Sequence, residues 1–397
     1  MKYSEQLKKL GTETAFAVSA LARAWAEKGN EVYPFHLGDF NLPTPNNIVE
    51  ATLKGIKDGK TGYCPSEGIM PLREALAYDV GSKRNVTYGP ENVSVQPGGK
   101  PTIGKFIASI MNPGDEVLYP NPGYPIYESQ IEYQRGVAIP YGYIANSKGF
   151  EIDIDLLKAS ISDKTIAIIY NNYQNPISAE SSVKEMEAIA QLAIENDLWV
   201  LADDAYYEII YEGNSKSIVS IPGMKERTVI LYTFSKKFAM TGWRVGGAIG
   251  PEKIIKHISK LNVNAESCTT HFIQDAMVEA LNGDQSGPEF LLNTLRERRN
   301  ATVNGLNAIN DINVTSPRST FYVFPNVSKI MRAKGFSDVE ELQFGALKNA
   351  NVSFCTRDHF GRPNKDESDY FIRFAYSGIK VEDINKGMAK LKEYFES

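Results

Sequence analysis

Residues 227–247 read RTVILYTFSKKFAMTGWRVGG. The first part, TVILY at 228–232, is a short, uninterrupted apolar run rich in β-branched residues, the pattern of a strand buried on both faces. The second part turns polar at once: Thr233, Ser235, the adjacent lysines 236 and 237 and then Arg244 follow it. A strand that ends in hydroxyls and cations delivers them to the carboxyl edge of a sheet, where open α/β folds receive their ligands.

The same transition recurs upstream. ENVSV (91–95) leads into QPGGK, DEVLY (115–119) into PNPGYPIY, TIAIIY (165–170) into NNYQNP, and LWVLA (198–202) into DDAYYE. Helical patterns, KFIASIM at 105–111 and VKEMEAIAQLAIEND at 183–197, alternate with these runs. Alternation of this kind predicts a mainly parallel sheet covered by helices on both faces, with five strand ends converging on one pocket. The two ends of the chain differ: charged amphipathic helices mix with short strands such as STFYVF (319–324) and DYFIRFAYS (369–377). The expected division is a large α/β domain over 46–290 and a smaller α+β domain assembled from 1–45 and 291–397.

A length of 397 residues suits such a two-part organisation. With 43 Lys+Arg against 48 Asp+Glu, the formal charge is -5, and no polybasic stretch points to nucleic acid or to an anionic membrane. No apolar run approaches the roughly 20 residues that span a bilayer, and the N-terminus lacks the apolar core of a signal peptide. Three widely spaced cysteines, Cys64, Cys268 and Cys355, have no metal-ligand spacing and suit a reducing compartment. The expectation is a cytoplasmic enzyme acting on small molecules, without a metal.

Within the strand-end segments, Gly98 and Gly99 allow close backbone approach, and the free N–H groups of a helix starting at Lys100 suit a phosphate. Thr233, Ser235 and Arg244 would complete such a cradle with two hydroxyls and a guanidinium that binds oxygens bidentately.

A hydroxyl residue, any residue, Ser-Lys, and then Gly-Trp-Arg with the arginine eight after the lysine resembles the pyridoxal-phosphate signature of the class I/II aminotransferases, the aspartate aminotransferase superfamily of fold type I. GDFNLPTP (38–45) resembles that family's substrate loop, GYCPSEGIMPLREALA (62–77) its dimer-crossing tyrosine segment, Asn175-Pro176 its Asn-Pro turn, ADDAYYE its Asp-x-x-Tyr, and FIRFAYS its carboxylate-binding arginine. The resemblance implies a mainly parallel seven-stranded sheet, pyridoxal 5'-phosphate as cofactor, and a homodimer with shared active sites. It implies ping-pong transfer of the amino group of an L-amino acid to a 2-oxo acid.

It also distributes the roles. Lys236, matching the motif where Lys237 does not, would form the Schiff base and then act as the general base. Asp203, three before Tyr206, would hold the pyridine nitrogen protonated, with Asp204 as its rival. Tyr206 and Asn175 would bond the ring's phenolic oxygen, and Tyr124 would stack on the ring. Gly98, Gly99, Lys100, Thr233, Ser235 and Arg244 would hold the phosphate, joined by Tyr63 from the neighbouring subunit. Arg373 would clamp the substrate carboxylate beside Gly38, with Asn175 nearby. His36, two before Gly38, reads either as a packing histidine or as a substrate-side group. The latter would accompany a pyridoxal-phosphate oxidase resembling the arginine oxidases; a C–S β-lyase is the other alternative on the same scaffold. The chain departs from the family at Ile177 and Ser178, where Thr-Gly is common, and at Thr233, where serine is frequent.

Overall fold

The computed structural model describes residues 1–11, 13–147, 149–364 and 367–397. Its central sheet has seven strands: β1 Val93–Gln96, β2 Glu116–Pro120, β3 Val137–Tyr141, β4 Thr165–Tyr170, β5 Trp199–Asp203, β6 Thr228–Thr233 and β7 Gly246–Ile249. They lie in the order β1-β7-β6-β5-β4-β2-β3. Only β7 runs against the rest, pairing antiparallel with both β1 and β6. The parallel majority and the helical crossovers follow the sequence pattern. Two strands were not singled out there: β3 is half-exposed and contains Pro140, and β7 reads Gly-Gly-Ala-Ile. Neither carries the apolar run that marks the other five.

Alternation along each central strand explains why both faces are covered. Ile230, Val200, Ile168 and Leu118 belong to one apolar cluster, whereas their chain neighbours Val229, Leu201, Ile169 and Val117 belong to another. Successive side chains of a strand point to opposite faces, so a strand apolar at every position needs a helical layer on each side. The helix Val183–Glu195 supplies part of one layer and starts with a reciprocal cap, Glu185 N–H donating to Ser182 Oγ and Ser182 N–H to the Glu185 carboxylate.

A second, three-stranded antiparallel sheet places Ile372–Ala375 between Tyr322–Val323 and Cys355–Thr356. The N-terminal strand Tyr33–Pro34 pairs in parallel with Val352–Ser353, which draws the two ends of the chain into one layer. Tyr33 and Phe35 pack in the same cluster as Leu295, Leu342, Ile384 and Leu391.

A buried ion pair stands where the helix Met70–Lys83 ends beside the sheet. Arg84 donates through Nε and Nη2 to Asp204 Oδ2, at 2.9 and 2.8 Å, and its guanidinium carbon lies 3.6 Å from the Tyr207 ring centroid. Both side chains are almost fully shielded from solvent. Removing one partner strands the other charge in a low-dielectric interior. Arg84→Leu should therefore lower stability to denaturant by about 3–5 kcal/mol. An unchanged unfolding midpoint would show that the pair contributes nothing.

Candidate active site

The carboxyl ends of β1, β2, β4, β5 and β6 open into one cavity of about 590 Å³. Each contributes: Gly99 and Lys100 after β1, Tyr124 and Tyr127 after β2, Asn171 and Asn175 after β4, Asp203 and Tyr206 at β5, Thr233, Ser235 and Lys236 at β6. Gly38, Asp39 and Arg373 close the opposite wall.

At one end the donors suit an oxyanion. Thr233 Oγ1 donates to Ser235 Oγ at 2.9 Å, and both face the cavity. The helix Lys100–Ile110 begins at Gly99 without a side-chain cap; Pro101 has no N–H and Thr102 N–H donates to the Gly99 carbonyl at 3.0 Å, so in the first turn the Lys100 N–H is the donor left for a ligand. Arg244 adopts the left-handed conformation, with φ of 56°, and Nη1 donates to the Thr241 carbonyl at 2.6 Å. Gly98 lies behind it, also at positive φ, and a Cβ there would collide with the Arg244 guanidinium. Gly98 thus acts by admitting Arg244 rather than by lining the cavity.

Lys236 reaches across from β6 and donates to the Gly38 carbonyl at 3.1 Å. Burial pushes its pKa down to about 8; Asp39 opposes that shift, Arg373 and Arg244 add to it, and Asp203 opposes it. Lys237, off the motif, is held 2.9 Å from Glu208 and largely buried. The sheet separates the two aspartates similarly. Asp204 points to Arg84, while Asp203 faces the cavity and accepts from Tyr127 Oη at 2.6 Å and Ala205 N–H at 3.1 Å. Burial raises the Asp203 pKa to about 6 against those two hydrogen bonds.

On the opposite wall, Arg373 Nη1 donates to Asn175 Oδ1 at 2.9 Å and Nη2 to the His36 carbonyl at 2.7 Å. Its guanidinium carbon lies 4.5 Å from the ring centroids of both Tyr322 and Phe360. Nε is buried and has no acceptor among the described residues. The guanidinium as a whole lines the cavity, and a cation there suits an anionic ligand.

His36 packs beside the site and does not line it. Its imidazole is buried on Ser353 Oγ at 2.6 Å; the strand pairing 33–34 with 352–353 turns it inward. Burial and then Arg373 push its pKa down to about 4, so it is neutral, and only its carbonyl serves the site. Tyr63 is almost fully exposed and stands outside this cavity. Sequence reasoning missed Tyr127, which holds Asp203, and Tyr322, whose hydroxyl meets Tyr206 Oη at 2.6 Å. Both lie in stretches that were read as a strand end and a strand, but no spacing rule joins 127 to 203 or 322 to 206. Glu13 and Asp39, two carboxylates of the cavity wall, also carried no local signal.

The sequence matches the family described as aminotransferase class I and II over residues 31–391. It is 32% identical to an asparagine–oxo-acid transaminase of Streptococcus mutans, covering 100% of this chain and 99% of that protein. It is 31% identical to a probable aspartate/prephenate aminotransferase of Aquifex aeolicus, covering 96% and 95%. Among solved structures, an alanine aminotransferase of Pyrococcus furiosus superposes with a TM-score of 0.91 at 27% identity, covering both chains fully. The chain belongs to the class I and II aminotransferases, and its cofactor is pyridoxal phosphate. The cavity fits that group: an oxyanion end at Thr233, Ser235 and Arg244, a buried carboxylate at Asp203 for a protonated ring nitrogen, and an amine at Lys236.

The lysine supplies a pH test. In cofactor-free protein the neutral amine predominates above about pH 8. An amine-reactive reagent should label Lys236 with a midpoint near pH 8, read by peptide mass. A midpoint at the ordinary lysine value of 10.5 would contradict the burial. Between those values the unfolded chain holds a proton that the folded chain lacks, so this residue makes stability rise with pH across that window.

Proposed function

We propose that this aminotransferase works through Lys236, Asp203 and Arg373, in a ping-pong exchange between an L-amino acid and a 2-oxo acid. The observation that carries the reading is that all three line one cavity, with Arg373 on the wall opposite the strand ends. The phosphate of the cofactor would be held by Thr233, Ser235, Arg244 and the backbone at Gly99 and Lys100, with Gly98 making room for Arg244. Its ring would lie against Tyr124, with Asn175 and Tyr206 at the phenolic oxygen. Asp203 would pair with the ring nitrogen.

When bound, the cofactor supplies a carbonyl carbon that takes up the amino group and a cationic ring that accepts the electron pair left by the departing α-proton. The chain supplies the rest. Lys236, with its pKa lowered to about 8, is a base near neutral pH and can take the α-proton and return it. Asp203, raised by burial, ionises readily once a cation stands against it, and so keeps that cation in place. Arg373 presents its guanidinium to the substrate carboxylate while Asn175 and the His36 carbonyl fix its plane.

The large and small domains, 46–290 and 1–45 with 291–397, meet across this cavity. A cytoplasmic homodimer is the assembly we infer, supported by three free cysteines and by the exposure of Tyr63, which would reach the neighbouring subunit's phosphate. Aspartate, asparagine and alanine, which appear in the names of the relatives, are the first donors to test.

With pyridoxal phosphate, a donor and 2-oxoglutarate, the purified protein should form glutamate and the donor's 2-oxo acid. Lys236→Ala should abolish turnover with an unchanged circular dichroism spectrum; a wild-type rate would refute the assignment. Asp203→Asn should cut kcat by about 100-fold or more while retaining the cofactor. Subunit sharing is tested by mixing inactive Lys236→Ala with Tyr63→Ala. Exchange of subunits should restore activity by assembling one intact site, and no gain on mixing would place Tyr63 outside the partner's site.

A further inference from the structure

Arg357 is nearly fully buried, yet it does not line the cavity. Its guanidinium gathers five hydrogen bonds. Nε and Nη2 grip the Glu367 carboxylate at 2.8 and 2.6 Å, Nη1 donates to the carbonyls of Phe360 and Gly361 at 3.3 and 2.9 Å, and Nη2 donates to Asn121 Oδ1 at 2.9 Å. The two Nη1 bonds fold the turn 357–361 around its own cation, and the Glu367 pair joins it to the chain beyond. The fifth leaves the small domain: Asn121 follows β2 and lies three residues before Tyr124 in the large one.

Two further bonds run along the same seam. Asn121 Nδ2 donates to the Arg362 carbonyl at 2.8 Å, and Gly123 N–H donates to the Phe360 carbonyl at 3.0 Å. The segment from 357 to 362 is thereby tied to the loop that carries Tyr124. Phe360 reaches the cavity together with His359, and its ring sits 4.5 Å from the Arg373 guanidinium carbon. Arg373 is therefore confined between two aromatic rings, and the outer one is anchored through Arg357.

We propose that Arg357 is a positioning residue for substrate binding: by fastening the turn 357–361 to Asn121, it holds the Phe360 ring against Arg373 and keeps that guanidinium aimed into the cavity. This inference rests on the reading of Arg373 as the carboxylate clamp. Both the amino acid and the 2-oxo acid present an α-carboxylate, so a loosened clamp weakens both half-reactions alike. The proton transfers depend on Lys236 and Asp203, which Arg357 does not touch. The expected signature is a rise in KM for both substrates with little change in kcat.

The test uses the cofactor-loaded, full-length enzyme and compares Arg357→Leu, Phe360→Leu, the double variant and Arg357→Lys. Arg357→Leu should raise KM for donor and acceptor by about tenfold, leaving kcat and bound pyridoxal phosphate within about twofold of wild type. Because the two residues act through one ring, the double variant should have a KM close to that of the worse single variant rather than the product of both effects. Arg357→Lys keeps the charge but loses the fork, so its KM should fall between; it also serves if the leucine variant does not fold. An unchanged KM, a lowered kcat at constant KM, or multiplicative effects in the double variant would overturn the proposal. Arg373→Leu is the control that separates the two readings. If it raises KM while the Arg357 variants do not, only the positioning role fails; if it leaves KM unchanged, the clamp itself is misassigned.

Discussion

A parallel sheet buried on both faces leaves its polar chemistry one place to go. Val229 and Ile230, or Leu201 and Ala202, fill the layers on either side of the central strands, and a charge among them would be desolvated without a partner. Polar groups therefore collect where the strands end and the helices have not yet begun. Here five strands end side by side, and the groups that follow them face one space. The register of the sheet does the assembling: residues from 99 to 236 become neighbours because their strands are neighbours.

That crowding sets the electrostatics. Lys236, Asp203 and Arg373 share a poorly solvated cavity, and each is adjusted by what surrounds it. Burial makes the lysine a weaker base than in water and the aspartate a weaker acid. Asp204 is the informative contrast. One residue along the same strand end, it faces the other side of the sheet, finds Arg84 and becomes structural. Chemistry and stability are divided between adjacent carboxylates by the two-residue repeat of a β-strand.

The sheet and the cofactor end of the site were legible because they are written locally. Ser235, Lys236 and Arg244 lie within one short stretch, and Asp203 with Tyr206 within another, so strand pattern and family resemblance together placed them. What was not legible depends on distant pairings. Tyr127 matters because β2 and β5 are two strands apart in the sheet, and Tyr322 because the second sheet packs over Tyr206. His36 was ambiguous for the same reason: its orientation follows from pairing with residue 353, which the neighbouring sequence does not encode. β3 lacked an apolar run because it is half-exposed and holds Pro140, and β7 because its burial comes from neighbours rather than from its own Gly-rich composition.

The pairing of Tyr33–Pro34 with Val352–Ser353 also has a temporal side. His36 and Ser353 are 317 residues apart in the chain, and the Gly38 carbonyl that receives Lys236 lies just beyond that strand. During synthesis the N-terminal strand emerges early and must wait, unpaired, until its partner leaves the ribosome, while the central sheet can already form from intervening residues. The wall that carries Gly38 and Arg373 is consequently among the last parts to assemble. A growing chain can thus carry the strand-end side of the cavity before it has the wall formed by Gly38 and Arg373.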